Sequence, residues 1–314
     1  MIRPGRVLLA DAAAGSSAPS RLLLEDRGPP EISVTLNNGI QMPHIGLGTF
    51  RIQGYSTIYS ILDVALRCGY RSTDTAAVYS NEADIGKALK ELLPLHGLTC
   101  QDIFLTSKLA LRDHGEEAEG AAQRSLQALD LDYLDLYLNH WPGIEGWKSD
   151  DLVNPECRRQ SWEALEKMNS AGILSSTGMS NFTEEHLKEL LTMCQVRPAV
   201  LQVEYQSELV QWDFLSFCRS AGIHLQANTS LGSGHLIPQQ EVQAVAAKYN
   251  QTASQVLLCW ALQREVGVIS KSTNPERIVE NFQVFDFELS PQDLEKLDAM
   301  QCEKHYCWGP KGVV

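Results

Sequence analysis

The amino-acid sequence predicts an α/β protein, a (β/α)8 TIM barrel with an N-terminal β-hairpin and a short C-terminal tail. The first observation is that short apolar segments alternate eight times with amphipathic helical patterns, which is typical of a parallel sheet. The second is that eight parallel strands are enough to close a barrel. The third is the length of 314 residues, 44% of them hydrophobic, which suits one barrel domain of roughly 250 residues or more.

The chain before the barrel has a different composition. Residues 1–30 contain the small and polar run Ala12–Ala18 and end near Gly28-Pro29-Pro30, so we expect a flexible N-terminal tail. An alternative is a mitochondrial presequence, because three arginines accompany one early acid, Asp11. The three arginines are Arg3, Arg6 and Arg21. Residues 31–314 are predicted to form the barrel domain.

The first elements of this domain are a hairpin and then the alternating units. Ile32–Leu36 and Asn37–Met42 flank an Asn-Gly turn with alternating apolar residues, which predicts the hairpin. The eight predicted strands are Ile45–Thr49, Arg71–Thr75, Ile103–Lys108, Leu134–Asn139, Ser176–Ser180, Val200–Glu204, His224–Asn228 and Val266–Ser270. The eight predicted helices are centred on Ile58–Cys68, Asp84–Leu92, Glu116–Leu129, Cys157–Ser170, Glu184–Met193, Trp212–Ala221, Ala253–Gln263 and Pro275–Phe282.

An open doubly wound sheet is the rival architecture. It would carry a G-x-G-x-x-G turn after its first strand, leading directly into a helix. The glycines of Gly46-Leu-Gly-Thr49 lack that spacing. The barrel is therefore the favoured architecture.

Composition excludes several classes of function. The net charge of −13 argues against a nucleic-acid surface, since phosphate binding needs clustered basic residues. The eight cysteines, from Cys68 to Cys307, form no C-x-x-C pair and no zinc spacing. We therefore expect no metal, reduced thiols and a cytoplasmic protein. No apolar run reaches the roughly 20 residues of a membrane span, and Val256–Leu262 is expected to be a buried helix.

Polar residues at the carboxyl ends of the predicted strands are the candidates for chemistry, because barrel enzymes place their active sites at that face. This criterion selects Asp74, Tyr79, Lys108, His140, Ser180, Asn181, Gln202, Asn228, Lys271 and Ser272.

These strand ends resemble the aldo-keto reductase family, in its family 1-like or bacterial glyoxal reductase-like branch. The matching segments, in the order and spacing of the family, are Asp74-Thr-Ala-Ala-Val-Tyr79-Ser-Asn-Glu82, Thr106-Ser-Lys108-Leu, Leu138-Asn-His140-Trp-Pro142, Gly178-Met-Ser-Asn181-Phe and Ser270-Lys-Ser-Thr-Asn-Pro-Glu-Arg277-Ile-Val-Glu280-Asn281. One such motif is a weak signal, whereas five in order are highly specific. The resemblance covers residues 32 to about 308 and implies an NADPH-dependent carbonyl reductase.

The resemblance implies a catalytic tetrad. Reduction of a carbonyl puts negative charge on its oxygen, and Tyr79 would supply the proton if its pKa fell toward neutrality. The ammonium of Lys108, held by Asp74, would lower that pKa, and His140 would orient the substrate oxygen. Taken singly, each residue has an ordinary structural explanation: a packing aromatic, an exposed lysine, a turn cap or a satisfied histidine.

The cofactor contacts follow from the same resemblance. Ser180, Asn181 and Gln202 have groups suited to a nicotinamide carboxamide, and the loop with Ser230, Leu231 and Ser233 would lie over the pyrophosphate. Lys271, Ser272 and Arg277 form a local cationic group that favours NADPH over NADH through a 2′-phosphate, with a solvated helix start as the bland explanation. Glu280 and Asn281 would sit near the adenine.

Several positions depart from the family pattern. Asn228 stands where the family has a Tyr that stacks on the nicotinamide, and this loss should weaken cofactor binding by about 1 kcal/mol. The other departures are Leu201 before Gln202, Gln206-Ser207 for His-Pro, Ser270 for Pro and Ile173-Leu-Ser175 for a basic triplet.

Four aromatic residues are the candidates for the substrate pocket: Phe50, Trp141, Trp147 and Trp308. Apolar walls suit an uncharged carbonyl substrate. The tail from Cys302 to Val314 is short, and in this family a short tail resembles the branches that take small aldehydes broadly.

Three hypotheses for function result. The first is an NADPH-dependent reductase of aldehydes and ketones, expected to be a monomer. The second is a catalytically weak NADP(H)-binding barrel with a regulatory or partner-binding role, as in the potassium-channel subunit branch of the family. The third is a barrel enzyme that is not a reductase.

Overall fold

The computed structural model describes residues 32–310 and 312–314. The tail predicted for residues 1–30 lies outside the described residues. A hairpin of β1 (Ser33–Thr35) and β2 (Gln41–Pro43) precedes eight parallel strands, which close into a barrel in chain order, with the last strand paired to both its predecessor and the first. These strands are β3 Ile45–Gly48, β4 Ser72–Asp74, β5 Phe104–Leu109, β6 Leu134–Asn139, β7 Leu174–Ser180, β8 Val200–Glu204, β9 His224–Asn228 and β10 Gly267–Ser270. The predicted barrel and hairpin are confirmed.

The hairpin closes the amino end of the barrel. Its turn is formed by backbone hydrogen bonds between Leu36 and Ile40, and Gly39 has a φ of 84°, as the predicted Asn-Gly turn requires. Met42 is fully buried in a small cluster with Phe104, at the start of β5, and with residues of β6 and the start of β8. Because this end is plugged, access to the interior is left to the carboxyl ends of the strands.

Ten α-helices surround the barrel in the described part of the chain. They are α1 Tyr55–Cys68, α2 Glu82–Leu95, α3 Ala118–Leu129, α4 Val153–Ser170, α5 Glu184–Met193, α6 Trp212–Ser220, α7 Gln240–Tyr249, α8 Ala253–Gln263, α9 Pro275–Phe282 and α10 Pro291–Asp298. The eight predicted helices are all present. The sequence analysis missed α7 and α10, which are additions to the eight repeating units.

The main core lies between the strands and these helices. The predicted burial of Val256–Leu262 is confirmed, since every residue of that stretch in α8 is buried. Trp260 within it donates its indole N–H to Asp298 Oδ1 at 2.8 Å. No helix among the described residues is long and apolar enough to cross a membrane. All eight cysteines are free thiols.

Candidate active site

A buried ion pair lies inside the carboxyl end of the barrel. Lys108 Nζ donates to Asp74 Oδ1 at 2.6 Å and to the carbonyl oxygen of Thr75 at 2.8 Å. Lys108 is fully buried and Asp74 is 5% exposed. Neighbouring strands place them: Asp74 is paired with Thr106 on β5, and Lys108 follows two residues later on the same face. Since a buried ion pair adds little to stability, its presence makes this end of the barrel the candidate functional site.

Asp74 is held by a second contact that the sequence did not reveal. Gln202 Nε2 on β8 donates to Asp74 Oδ2 at 2.8 Å and to Gln226 Oε1 on β9 at 2.9 Å. The amide nitrogen of Gln202, which we expected to face a nicotinamide carboxamide, is therefore engaged by the ion pair. Only its carbonyl oxygen is left for such a contact.

Tyr79 lies over this pair at the end of a 3-10 turn, Ala77–Tyr79. Lys108 Nζ is 5.0 Å from the centroid of its ring. Buried Asn81 secures the turn: its Nδ2 donates to the carbonyl oxygens of Thr49 and Ile52, both at 3.0 Å. The sequence analysis assigned Asn81 no role, although it stands within the motif that carries Tyr79.

The protonation of Tyr79 corrects one expectation. Burial raises the pKa of its phenol, the Lys108 ammonium lowers it and Asp74 raises it again, and the net direction is upward. We expected a lowered pKa, which would hold only if the charge of Lys108 outweighed desolvation. For Lys108 itself, burial lowers the pKa, but Asp74 and Tyr79 outweigh it, so the pKa lies above its ordinary value.

His140, directly after β6, completes the group. Its ring meets the ring of Tyr79 edge-on, with centroids 5.8 Å apart. Burial, followed by the charges of Lys108 and His114, lowers the pKa of His140 to about 3, so the imidazole is neutral near pH 7. Its Nδ1 is buried without a hydrogen-bond partner in the described structure. Asn181 Nδ2 donates to the His140 carbonyl oxygen at 2.9 Å and links it to β7.

The four predicted pocket aromatics differ in their positions. Phe50 packs beside the site, with its ring centroid 5.1 Å from that of Tyr79, and Trp141 follows His140 directly. Trp308 lines a cavity of about 300 Å³ together with Asn181. Trp147 is 56% exposed on the loop between β6 and α4, and no ring contact joins it to the tetrad in the described structure.

The predicted cofactor residues lie at the carboxyl ends of β7 to β10 and on α9. Ser180 and Asn181 end β7, Asn228 ends β9 and Lys271 follows β10. The loop after β9 carries the three predicted residues Ser230, Leu231 and Ser233, and its 3-10 turn spans Gly232–Gly234.

The predicted adenosine end of the cofactor site is polar and cationic. Lys271 and Arg277 are exposed, and neither forms an ion pair within the described residues. Ser272 Oγ accepts from the backbone N–H of Asn274 at 3.0 Å. Asn281 is buried, and Glu280 Oε1 accepts from Thr252 Oγ1 at 2.7 Å. No group of three or more potential metal ligands occurs within residues 32–310 and 312–314.

Comparisons with known proteins agree with this geometry. The model of the Aldo/keto reductase family matches residues 44–301. The chain is 40% identical over 269 residues to a glyoxal reductase of Bacillus subtilis, covering 85% of this chain and 92% of that protein. It is 38% identical over 288 residues to aldo-keto reductase family 1 member A1 of Sus scrofa, covering 85% and 88%.

Solved structures show the same similarity. A crystal structure of an aldo-keto reductase enzyme from a Medee basin deep-sea metagenome library matches with a TM-score of 0.82 and 35% identity, covering 89% of this chain and 98% of that chain. The aldose reductase of Schistosoma japonicum matches with a TM-score of 0.79 and 35% identity, covering 87% and 93%.

Proposed function

Because the chain belongs to the aldo/keto reductase family, whose members are oxidoreductases that act on carbonyl compounds, we propose that it reduces aldehydes and ketones to alcohols with NADPH. The observation that carries this proposal is the buried Lys108–Asp74 pair beneath Tyr79 and beside His140. A phenol, with an ammonium and a neutral imidazole beside it, provides the groups that carbonyl reduction needs.

The chemistry follows from the charge that develops. NADPH, when bound, supplies the hydride to the carbonyl carbon. The electron pair of the C=O bond moves to oxygen, and Tyr79 donates its proton there. A raised pKa keeps that proton on Tyr79 before reaction. Lys108, fixed by Asp74, stabilises the phenolate left behind, and neutral His140 donates a hydrogen bond to the substrate oxygen.

The residues present fit NADPH. Lys271 and Arg277 are cations without a carboxylate partner in the described structure, beside the N-terminus of α9. Such a group suits the 2′-phosphate, because phosphate binds to paired cations through charge-assisted hydrogen bonds. At the proposed catalytic end, the buried Nδ1 of His140 has no hydrogen-bond partner within the described residues and is free to bond to a bound group, which supports the proposal.

For the substrate we propose a small uncharged carbonyl compound. Phe50 provides an apolar ring next to Tyr79, and Trp141, which follows His140 in the chain, is proposed as a second apolar wall. The similarity to a glyoxal reductase supports a small aldehyde. We further propose a cytoplasmic monomer, and the free thiols support a reducing compartment.

The test compares the parent protein with Tyr79→Phe. Purified protein is incubated with NADPH and a panel of small aldehydes, and absorbance is followed at 340 nm. We expect the variant to lose about 100-fold or more of the turnover, the usual contribution of general acid catalysis. Its NADPH affinity, measured by quenching of tryptophan fluorescence, should be unchanged. Full activity in the variant would place the proton donor elsewhere.

The same experiment tests the second candidate, a weakly catalytic NADP(H)-binding barrel. The observation that favours it is Asn228, which provides no aromatic surface for the nicotinamide at the end of β9. Quenching by NADPH without any NADPH consumption across the panel would support this candidate over the reductase.

A further inference from the structure

Buried Glu204, at the end of β8, binds three consecutive residues of the C-terminal region. Glu204 is 5% exposed. Its Oε1 accepts the backbone N–H of Tyr306 at 2.7 Å, and its Oε2 lies 3.1 Å from both His305 Nδ1 and Cys307 Sγ. A buried carboxylate is costly to leave without donors. The residues that supply those donors are therefore held against the strand end.

The turn after β8 adds further contacts to the same region. Glu208 Oε2 accepts from the Tyr306 hydroxyl at 2.7 Å and pairs with Lys304 Nζ at 3.3 Å. Gln206 Nε2 donates to the Lys304 carbonyl oxygen at 2.9 Å. Gln206 is one of the departures from the family pattern, and here it binds the tail. We call residues 302–308 the clamp segment.

The opposite side of the clamp segment packs on the loop after β9. The ring of Tyr306 stacks on His235, with centroids 5.2 Å apart and an angle of 9° between the planes. A Cβ at Gly232 would come within 2.9 Å of the Tyr306 ring, so the glycine permits this close packing. Cys307 Sγ lies 3.7 Å from Thr229 Oγ1 and 4.0 Å from Asn228 Oδ1.

The backbone conformation of this loop requires contacts from other parts of the chain to maintain it. Thr229 and Ser233 have φ angles of 57° and 53°, in the left-handed region that side chains disfavour. Such conformations persist only where the surroundings enforce them. The stacked Tyr306 ring and the sulfur of Cys307 are contacts that can enforce them.

We propose that the clamp segment, anchored by Glu204 and Glu208, holds the loop after β9 closed and thereby slows the release of NADPH. The inference rests on the proposed function, in which that loop lies over the pyrophosphate. Tyr306 is then a positioning residue: it acts on the cofactor through the loop and takes no part in the chemical step.

The experiment is a double-mutant cycle of Tyr306→Ala and His235→Ala, read by stopped-flow tryptophan fluorescence during NADPH release. We expect each single variant to release NADPH about tenfold faster and to bind it about tenfold more weakly. The double variant should release NADPH no faster than Tyr306→Ala, because that variant already lacks the stack on His235. Tyr306→Phe keeps the ring and loses the bond to Glu208, so its release rate should lie between parent and Tyr306→Ala.

Glu303→Gln is the matched control, since it removes an exposed charge from the same segment, and its release rate should equal that of the parent. Turnover at saturating NADPH should not fall in the Tyr306 variants, whereas a general loss of folding would lower it. If the parent binds and uses NADPH but the variants release it at the parent rate, this inference is wrong and the proposed function stands. If the parent binds no NADPH, both are wrong.

Discussion

At the scale of single residues, the pKa values in the site are set by two opposing effects, desolvation and the charges of neighbouring groups. Burial lowers the pKa of Lys108, but its ion-pair partner Asp74 and Tyr79 outweigh that effect, so the ammonium keeps its charge in the interior. Burial raises the pKa of Tyr79, and the opposing effect of the Lys108 ammonium is smaller, so the pKa lies above its ordinary value. In the proposed reaction, the phenol therefore holds its proton until a carbonyl oxygen develops negative charge, which is the condition for a donor that acts during the reaction.

The cationic residues at α9 allow a test of cofactor choice. Arg277→Leu removes one of the proposed partners of the 2′-phosphate. We expect the Kd for NADPH to rise about tenfold or more, since a hydrogen bond to a charged group contributes about 1.5–3 kcal/mol. The Kd for NADH, which lacks that phosphate, should stay the same. Isothermal titration with both cofactors measures the two constants.

Arg124→Leu is the control, because Arg124 is an exposed arginine on α3 that pairs with Asp113. An equal rise of both cofactor constants in Arg277→Leu would contradict a phosphate contact and indicate general damage to α9.

At the scale of elements, close packing of helices α2 and α3 depends on one small residue. A Cβ at Gly86 would lie 2.3 Å from the carbonyl oxygen of Leu129, a backbone atom that cannot move aside without shifting α3. Since Tyr79 immediately precedes α2 in the chain, the position of this helix also bears on the site.

Gly86→Ala should lower the free energy of unfolding by about 1–3 kcal/mol, the usual cost of overpacking a core. Gly120→Ala, in the first turn of α3, is the matched control: its Cβ would meet only Arg124 Nη1, at 3.4 Å. That change should stabilise the protein by about 0.5–1 kcal/mol, because alanine restricts the unfolded chain. Urea denaturation gives both values, and the prediction requires opposite signs.

At the scale of the whole molecule, closing the barrel buries several histidines in their neutral form. Burial lowers the pKa of His114 to about 4, and of His140 and His224 to about 3, from an ordinary value of 6.5. Below pH 6.5 the unfolded chain takes up these protons and the folded chain does not. The contribution of these histidines to stability is therefore fully present above pH 6.5, and it is lost as the pH falls toward their pKa values in the folded protein.

His114→Leu tests this pH dependence, since both ring nitrogens of His114 are buried without a partner in the described structure. Between pH 6.5 and 5 each such histidine costs about 1.5 kcal/mol of stability, because the full slope of about 1.4 kcal/mol per pH unit is reached only well below pH 6.5. The variant should lose that much less than the parent over this range in urea denaturation. Asp135, whose pKa burial raises to about 6, works in the opposite direction in both proteins and cancels from the difference. Parallel curves would refute the assignment.

Local sequence patterns were enough to predict the repeating elements. The eight strands and their eight helices follow from apolar periodicity, and the position of Asp74, Lys108 and His140 at strand ends follows from that register. The helices α7 and α10 were not predicted because they are additions to the eight strand–helix units and leave the alternation unchanged. Both are short, and Ser290 with Pro291 was the signal for the second: a capping residue before a proline at the helix start.

The sequence alone determined the fold class and the strand ends that meet, since these depend on periodicity along the chain, and the resemblance of its motifs indicated the family. Only the tertiary structure decided which side chains form hydrogen bonds with each other. Gln202 reaches Asp74 across 128 positions, and Glu204 binds Cys307 across 103. The pKa of Tyr79 likewise depends on how deeply the closed barrel buries it. Hydrogen bonds and desolvation act over a few ångströms in space, and no local pattern records which distant residues the closed barrel brings within that range.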